Sequence, residues 1–307
     1  MSVSKFIAGG CVILVLAVGC GKSDEGGATG GSFQKRFDSA MNVSNPDQRS
    51  RKLMKLAYDQ KQGKDSAGSQ RSLKEATKSA EKMTDSIGRS SLFTQLASTQ
   101  AQLDNPSEAR DALRIAKKAI DEIESVESQA NALCAVAEVE GAQLDKADDA
   151  VDTLRDVEKK ADTVDDVVGK INVLATAART YAQLDEKKDV QRVISKALQM
   201  ARDLTDSGDR TNALNLVAKA QIAMKLPKEA ADTLVLAADS GRTISNKYSQ
   251  ALALADVAES LSKANKSADA HQLLEEADKG ANAITEPDLQ QQAMKRVREL
   301  MGELPKG

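Results

Sequence analysis

The chain of 307 residues contains no tryptophan, three tyrosines, four phenylalanines and a single histidine. Without aromatic anchors its core must be assembled from alanine, leucine, valine and isoleucine, and small side chains of that kind let helices pack closely. One histidine excludes a histidine pair that would ligate a metal or relay a proton; His271, beside apolar Ala270, reads as an ordinary helix residue. Three cysteines, Cys11, Cys20 and Cys134, make no disulfide framework. Two of them fall in or at the end of an apolar leader. Cys134 then reads as a small packing residue after Leu133, where Thr94, Ala175, Asn215 and Ala255 stand in other parts of the chain. Neither a glycine-rich loop of phosphate-binding spacing nor a serine elbow is present, so the sequence calls for no cofactor, no metal and no catalytic residue. Long blocks of one sign of charge are also missing: 43 basic and 46 acidic residues leave a net charge of -3. That balance gives no electrostatic reason to expect nucleic acid and reads as a solvated helical surface.

What the chain does have is a 40-residue repeat. Leu53, Phe93, Leu133, Leu174, Leu214 and Leu254 are 40 residues apart, save one step of 41 that a single extra residue near Gly141 explains. Four residues after each anchor stands an alanine: Ala57, Ala97, Ala137, Ala178, Ala218 and Ala258. A second set, Leu73, Leu113, Leu154, Ile194, Leu234 and Leu274, follows the first by 20 or 21 residues. Self-similarity at this period is the mark of stacked helix pairs. In one copy Phe93, Leu96, Ala97 and Gln100 fall on one face of a first helix. Asp104, Asn105, Pro106 and Ser107 break it, and Ala109, Leu113 and Ala116 form the stripe of a second. Two amphipathic helices joined by so short a turn pack antiparallel. Six copies occupy residues 48–286; in 287–307, Met294 and Val297 stand 40 residues after Leu254 and Val257, which predicts a C-terminal capping helix.

The order Leu214, Val217, Ala218, Ala230, Leu234, Ala237 resembles the tetratricopeptide repeat family. The chain departs from that family in its period of 40 rather than 34, in leucine at the bulky aromatic positions, and in lacking the proline after the second helix. The resemblance makes the expected fold all-α, a right-handed superhelical solenoid of about six antiparallel helix pairs plus the cap. It also implies that ligands lie on a concave side lined by first-helix residues. Projected onto this chain, that side carries Asn131, Asn172, Arg179, Asn212, Asn215 and Lys219, with Glu138 and Glu259 toward the flanks. Side-chain amides can pair with an extended peptide backbone, and Arg179 with Lys219 one repeat on suits a carboxylate or acidic segment. A solvated face is the competing reading, since duplication alone would repeat the asparagines.

At the N-terminus Lys5 precedes an apolar run over 6–18 that ends in Leu16-Ala17-Val18-Gly19-Cys20 and is followed by Gly21-Lys22-Ser23-Asp24-Glu25. Residues 1–19 read as a secretory leader, too short for the ~20 apolar residues of a permanent span. The small residues before Cys20 resemble the bacterial lipoprotein lipobox, although Ala17 stands where that family most often has leucine. The resemblance implies that Cys20 is diacylated and becomes the mature N-terminus, a membrane anchor of more than one chain. Gly21 is not the aspartate associated with inner-membrane retention, which favours the outer membrane where the source has one. An ordinary secretory leader and a retained anchor remain the alternatives. Residues 20–47 read as the lipidated cysteine and a flexible Gly/Ser-rich tether.

Together these features suggest a noncatalytic cell-envelope lipoprotein that scaffolds a protein or peptide partner and meets the membrane through its lipid. A structural spacer or self-associating element is the alternative, and an enzyme the weakest of the three. Oligomeric state is left open.

Overall fold

A computed structural model describes residues 30–304 of the chain. The expected leader, Cys20 and the start of the tether lie outside the described residues. Fourteen helices and no strand follow one another among the described residues: α1 (Gly30–Met41), α2 (Pro46–Gln62), α3 (Ser66–Ala80), α4 (Ser86–Gln102), α5 (Pro106–Asp121), α6 (Val126–Ala142), α7 (Ala147–Asp162), α8 (Val167–Gln183), α9 (Lys187–Asp203), α10 (Ser207–Ala223), α11 (Pro227–Arg242), α12 (Lys247–Lys263), α13 (Ser267–Asn282) and α14 (Pro287–Glu303). The fold is all-α and built of repeated helix pairs. One period is a 17-residue first helix, a short turn, a 16-residue second helix and a short link, as α4 and α5 illustrate. The extra residue of the 41-residue step lies just past Gly141, in the turn 143–146 between α6 and α7, where Lys146 N–H reaches the Glu140 carbonyl at 2.9 Å.

The start and stop of each first helix have local causes that recur with the period. First helices open on Asn45, Asp85, Ser125, Asp166, Asp206 and Asn246, whose side chains accept a hydrogen bond from the backbone of the first turn. They close on a residue in the left-handed region, at Lys64, Asp104, Asp145, Asp185, Lys225 and Asn265, with φ between 53° and 63°. At Asp104 the following Asn105 N–H bonds the Gln100 carbonyl at 2.9 Å while Asp104 N–H bonds Ala101 at 3.2 Å, the paired bonds of a Schellman motif. Glycine fits that position without steric cost, and none of the six is glycine. Lys225 is exposed, so Lys225→Gly should raise stability by about 0.5–1 kcal/mol after allowing for the greater freedom of glycine in the unfolded chain. Chemical denaturation would check this, with Lys225→Val expected to lower stability instead.

The described residues form two compact units, one reaching Val157 and the other starting at Glu158. In the N-terminal unit α2 packs on α3 and α4, and α4 on α5 and α6. In the C-terminal unit α8, α10, α12 and α14 pack successively on one another, and α8, α10 and α12 each hold a second helix, α9, α11 and α13. All six anchor residues, all six first-helix alanines and all six second-helix leucine or isoleucine positions are buried. The small residues of the two helices meet closely: Ser69 Oγ donates to the Ala57 carbonyl at 2.8 Å.

Helix α1 falls within the stretch 20–47 expected to be a tether. Phe33, Phe37 and Ala40 are buried, Phe33 over Gly63, and the Arg71 guanidinium lies 4.0 Å from the centre of the Phe37 ring. The spacing i, i+4, i+7 of these three residues outweighs the glycines around them, so from Gly30 onward this segment is an N-terminal cap instead. At the other end α14 buries Ala293, Val297 and Leu300 against α12 and α13 and leaves Arg298 exposed.

Candidate functional site

The residues expected to line a groove divide between the units. Asn131 is exposed on α6 of the N-terminal unit. In the C-terminal unit Asn172 and Arg179 are half-buried on α8, while Asn212 and Lys219 are exposed on α10. Because α8 and α10 pack side by side, the pairs Asn172/Asn212 and Arg179/Lys219 occupy equivalent positions on adjacent helices. Among the described residues no hydrogen bond or ion pair engages the side chains of these four. Nearby acids are committed elsewhere: Arg296 bonds Asp256 at 3.2 Å and Glu259 at 2.8 Å, and Lys263 bonds Glu259 at 2.6 Å. The result is two cations and two amides on one row of first helices.

Asn215 does not join them. It is 5% exposed, and its Oδ1 has no partner among the described residues. The position one after the anchor is interior throughout, since Thr94, Cys134, Ala175 and Ala255 are buried as well. The amide oxygen there loses its water without gaining a hydrogen bond. Asn215→Ala, which copies Ala175 and Ala255, should therefore leave stability unchanged or raise it by about 1 kcal/mol, measured by denaturant midpoint.

Lys263 holds the Glu259 carboxyl below its usual range by hydrogen bonding, opposed by partial burial and assisted by Arg296. A carboxylate with a lowered value in the folded state stabilises fully above its ordinary pKa of about 4.3, and the contribution is lost as pH falls through the folded value. Docking of α14 on α12 should accordingly weaken on acidification below pH ~4. Hydrogen exchange of α14 amides, compared in native chain and Glu259→Gln, would show that extra opening in the native chain alone.

Clefts also open between successive second helices, which sequence periodicity alone did not indicate. One of about 640 Å³ lies between α3 and α5 over Leu73, Phe93, Gln100 and Ala112. Another of about 520 Å³ lies between α5 and α7. Its floor holds Glu140, which meets Lys117 at 2.8 Å and accepts from Thr153 Oγ at 2.7 Å. Gln100 and Glu140, at equivalent places near the ends of α4 and α6, thus form cleft floor as well as core. Asp166 serves as a helix cap, and Asp148 and Asp149 lie in the first turn of α7, where they favour the helix dipole. Cys134 is buried and in no disulfide among the described residues, and His271 lies half-buried on α13. No helix among the described residues is long and apolar enough to cross a membrane.

No protein-family model matches this chain, and neither does any curated protein. Among solved structures it is similar to Ton1535 from Thermococcus onnurineus NA1, with a TM-score of 0.41 and 14% identity over 87% of this chain and 95% of that one.

Proposed function

We propose that this chain is a noncatalytic envelope lipoprotein, acylated at Cys20, whose tetratricopeptide-like helix pairs scaffold a protein or peptide partner. The observation that supports the binding face is the unpaired set Asn172, Arg179, Asn212 and Lys219 on the adjacent helices α8 and α10. Arg192, Arg242 and Arg296 of the same unit each have a carboxylate, whereas these two cations one repeat apart are available to an acidic or carboxylate-bearing segment, with amides to hold its backbone. The same array without an occupant would be a spacer, and the two readings differ in what they predict for substitutions.

Two measurements test the proposal. The mass of the mature protein should show diacylglyceryl and acyl groups at Cys20, and Cys20→Ser should leave the chain unacylated. Crosslinking and affinity capture from intact envelopes should recover a partner with the native chain and lose it with Asn172→Ala, Arg179→Glu, Asn212→Ala and Lys219→Glu combined, at unchanged helical melting. Equal recovery from both forms would remove the first-helix row as the binding face and favour the spacer.

A further inference from the structure

A balanced total charge conceals a separation of charge inside the N-terminal unit. Residues 30–82, which make up α1, α2, α3 and their turns, carry twelve Lys and Arg against six Asp and Glu. Residues 83–157 of the same unit carry seven against fifteen. Contacts sharpen the difference. In the basic end Asp47 is held by Arg51, Asp59 by Arg36 and Glu75 by Lys78, while Asp65 caps α3. Lys35, Lys52, Lys55, Lys64, Lys74 and Lys82 are exposed, and among the described residues none of their ammonium groups has a hydrogen bond or ion pair. Six ammonium groups therefore stand in solvent around one helix pair and its cap.

We propose that this end of the array is a docking surface for an anionic lipid bilayer. Position supports that occupant over other acidic partners: nine residues separate Cys20 from Gly30, so even a fully extended link places α1 within about 35 Å of an acylated Cys20. In this respect the inference rests on the anchor reading above. Free lysines on so short a link come within reach of the membrane's surface potential, where each adds attraction that fades over about 8 Å in physiological salt. The acidic remainder of the unit is repelled by the same potential. The lipid would tether the protein, and the lysines would turn its basic end toward the headgroups.

Co-sedimentation of the full chain with phosphatidylcholine vesicles, with and without about 30% phosphatidylglycerol, tests the proposal. The readout is the ratio of the two partition coefficients, because the leader contributes to both. A ratio of about tenfold or more at low salt, falling steeply as salt rises, is expected. Changing the six lysines to glutamine should bring the ratio close to one at unchanged helical melting. Changing Lys188, Lys225, Lys228, Lys266, Lys279 and Arg298 to glutamine alters total charge equally and should leave the ratio intact. A native ratio near one, or an equal loss from both variants, would overturn the proposal. So would concentration-dependent self-association that the first variant abolishes while the native ratio stays near one, which would assign the basic end to the acidic stretch of a second copy. The vesicle ratio does not require acylation, so failure of the anchor reading would appear in the mass of Cys20 and failure of the docking surface in the ratio.

Discussion

Tyr181→Ala will destabilise the chain by about 3–5 kcal/mol, the range for truncating a large aromatic side chain in a packed core. Tyr181 is fully buried, and its hydroxyl donates to Glu158 Oε1 at 2.9 Å. Arg192 completes the group with bonds of 2.6 and 2.8 Å to the two Glu158 oxygens and 2.7 Å to Asp189. Burial, followed by the bond to Glu158, pushes the Tyr181 hydroxyl well above the usual tyrosine range, so it remains a donor at any ordinary pH. Tyr181→Phe removes that donor and keeps the ring; Glu158 retains Arg192, and the expected cost is about 1–2 kcal/mol. The repeat supplies a third variant. Gln60, Gln100, Glu140, Gln221 and Leu261 occupy the same place in the other pairs, and all are buried. Tyr181→Leu imports the solution used at Leu261 and should fall between the other two. Denaturant unfolding would rank the three, and equal losses for Ala and Phe would mean that the hydrogen bond, not the packing of the ring, dominates.

Ala230→Leu is expected to cost about 1–3 kcal/mol by overpacking, and Ala218→Leu about as much. Both alanines are fully buried, one on each helix of a pair. The corresponding residues of the first pair, Ala57 and Ser69, are close enough for Ser69 Oγ to reach the Ala57 carbonyl at 2.8 Å. A leucine has no room at such a crossing unless the helices part. A serine does have room, and Ala230→Ser should be nearly neutral because it can repeat the Ser69 bond. Loss of stability with both Leu and Ser would mean that the crossing is governed by polarity rather than by volume.

The extent to which sequence foretold structure follows from the physics of each position. Core residues such as Leu174, Ala178 and Ile194 were legible because burial on a helix repeats with the period and selects a residue type. Asp166 carries a legible cap signal, an aspartate standing directly before an apolar helical run. The left-handed turns were not, since Lys64 and Lys225 hold a conformation that normally advertises itself with glycine. Helix α1 carried its signal in Phe33, Phe37 and Ala40, but its opening glycines suggested a flexible chain. Asn215 shows the opposite failure: an amide reads as surface, and only its equivalence to Ala175 and Ala255 reveals an interior position. The separation of charge within the N-terminal unit was hidden by a near-neutral total.

Residue-resolved hydrogen exchange on the full chain tests the repeat architecture most directly. Protection should rise and fall with the 40-residue period, with breaks at Lys64, Asp104, Asp145, Asp185, Lys225 and Asn265 and at the links between pairs. The amides of Phe33, Phe37 and Ala40 should be protected as part of the N-terminal cap. Protection running unbroken through those six turns, or absent from whole helix pairs, would contradict the architecture on which both proposed surfaces depend.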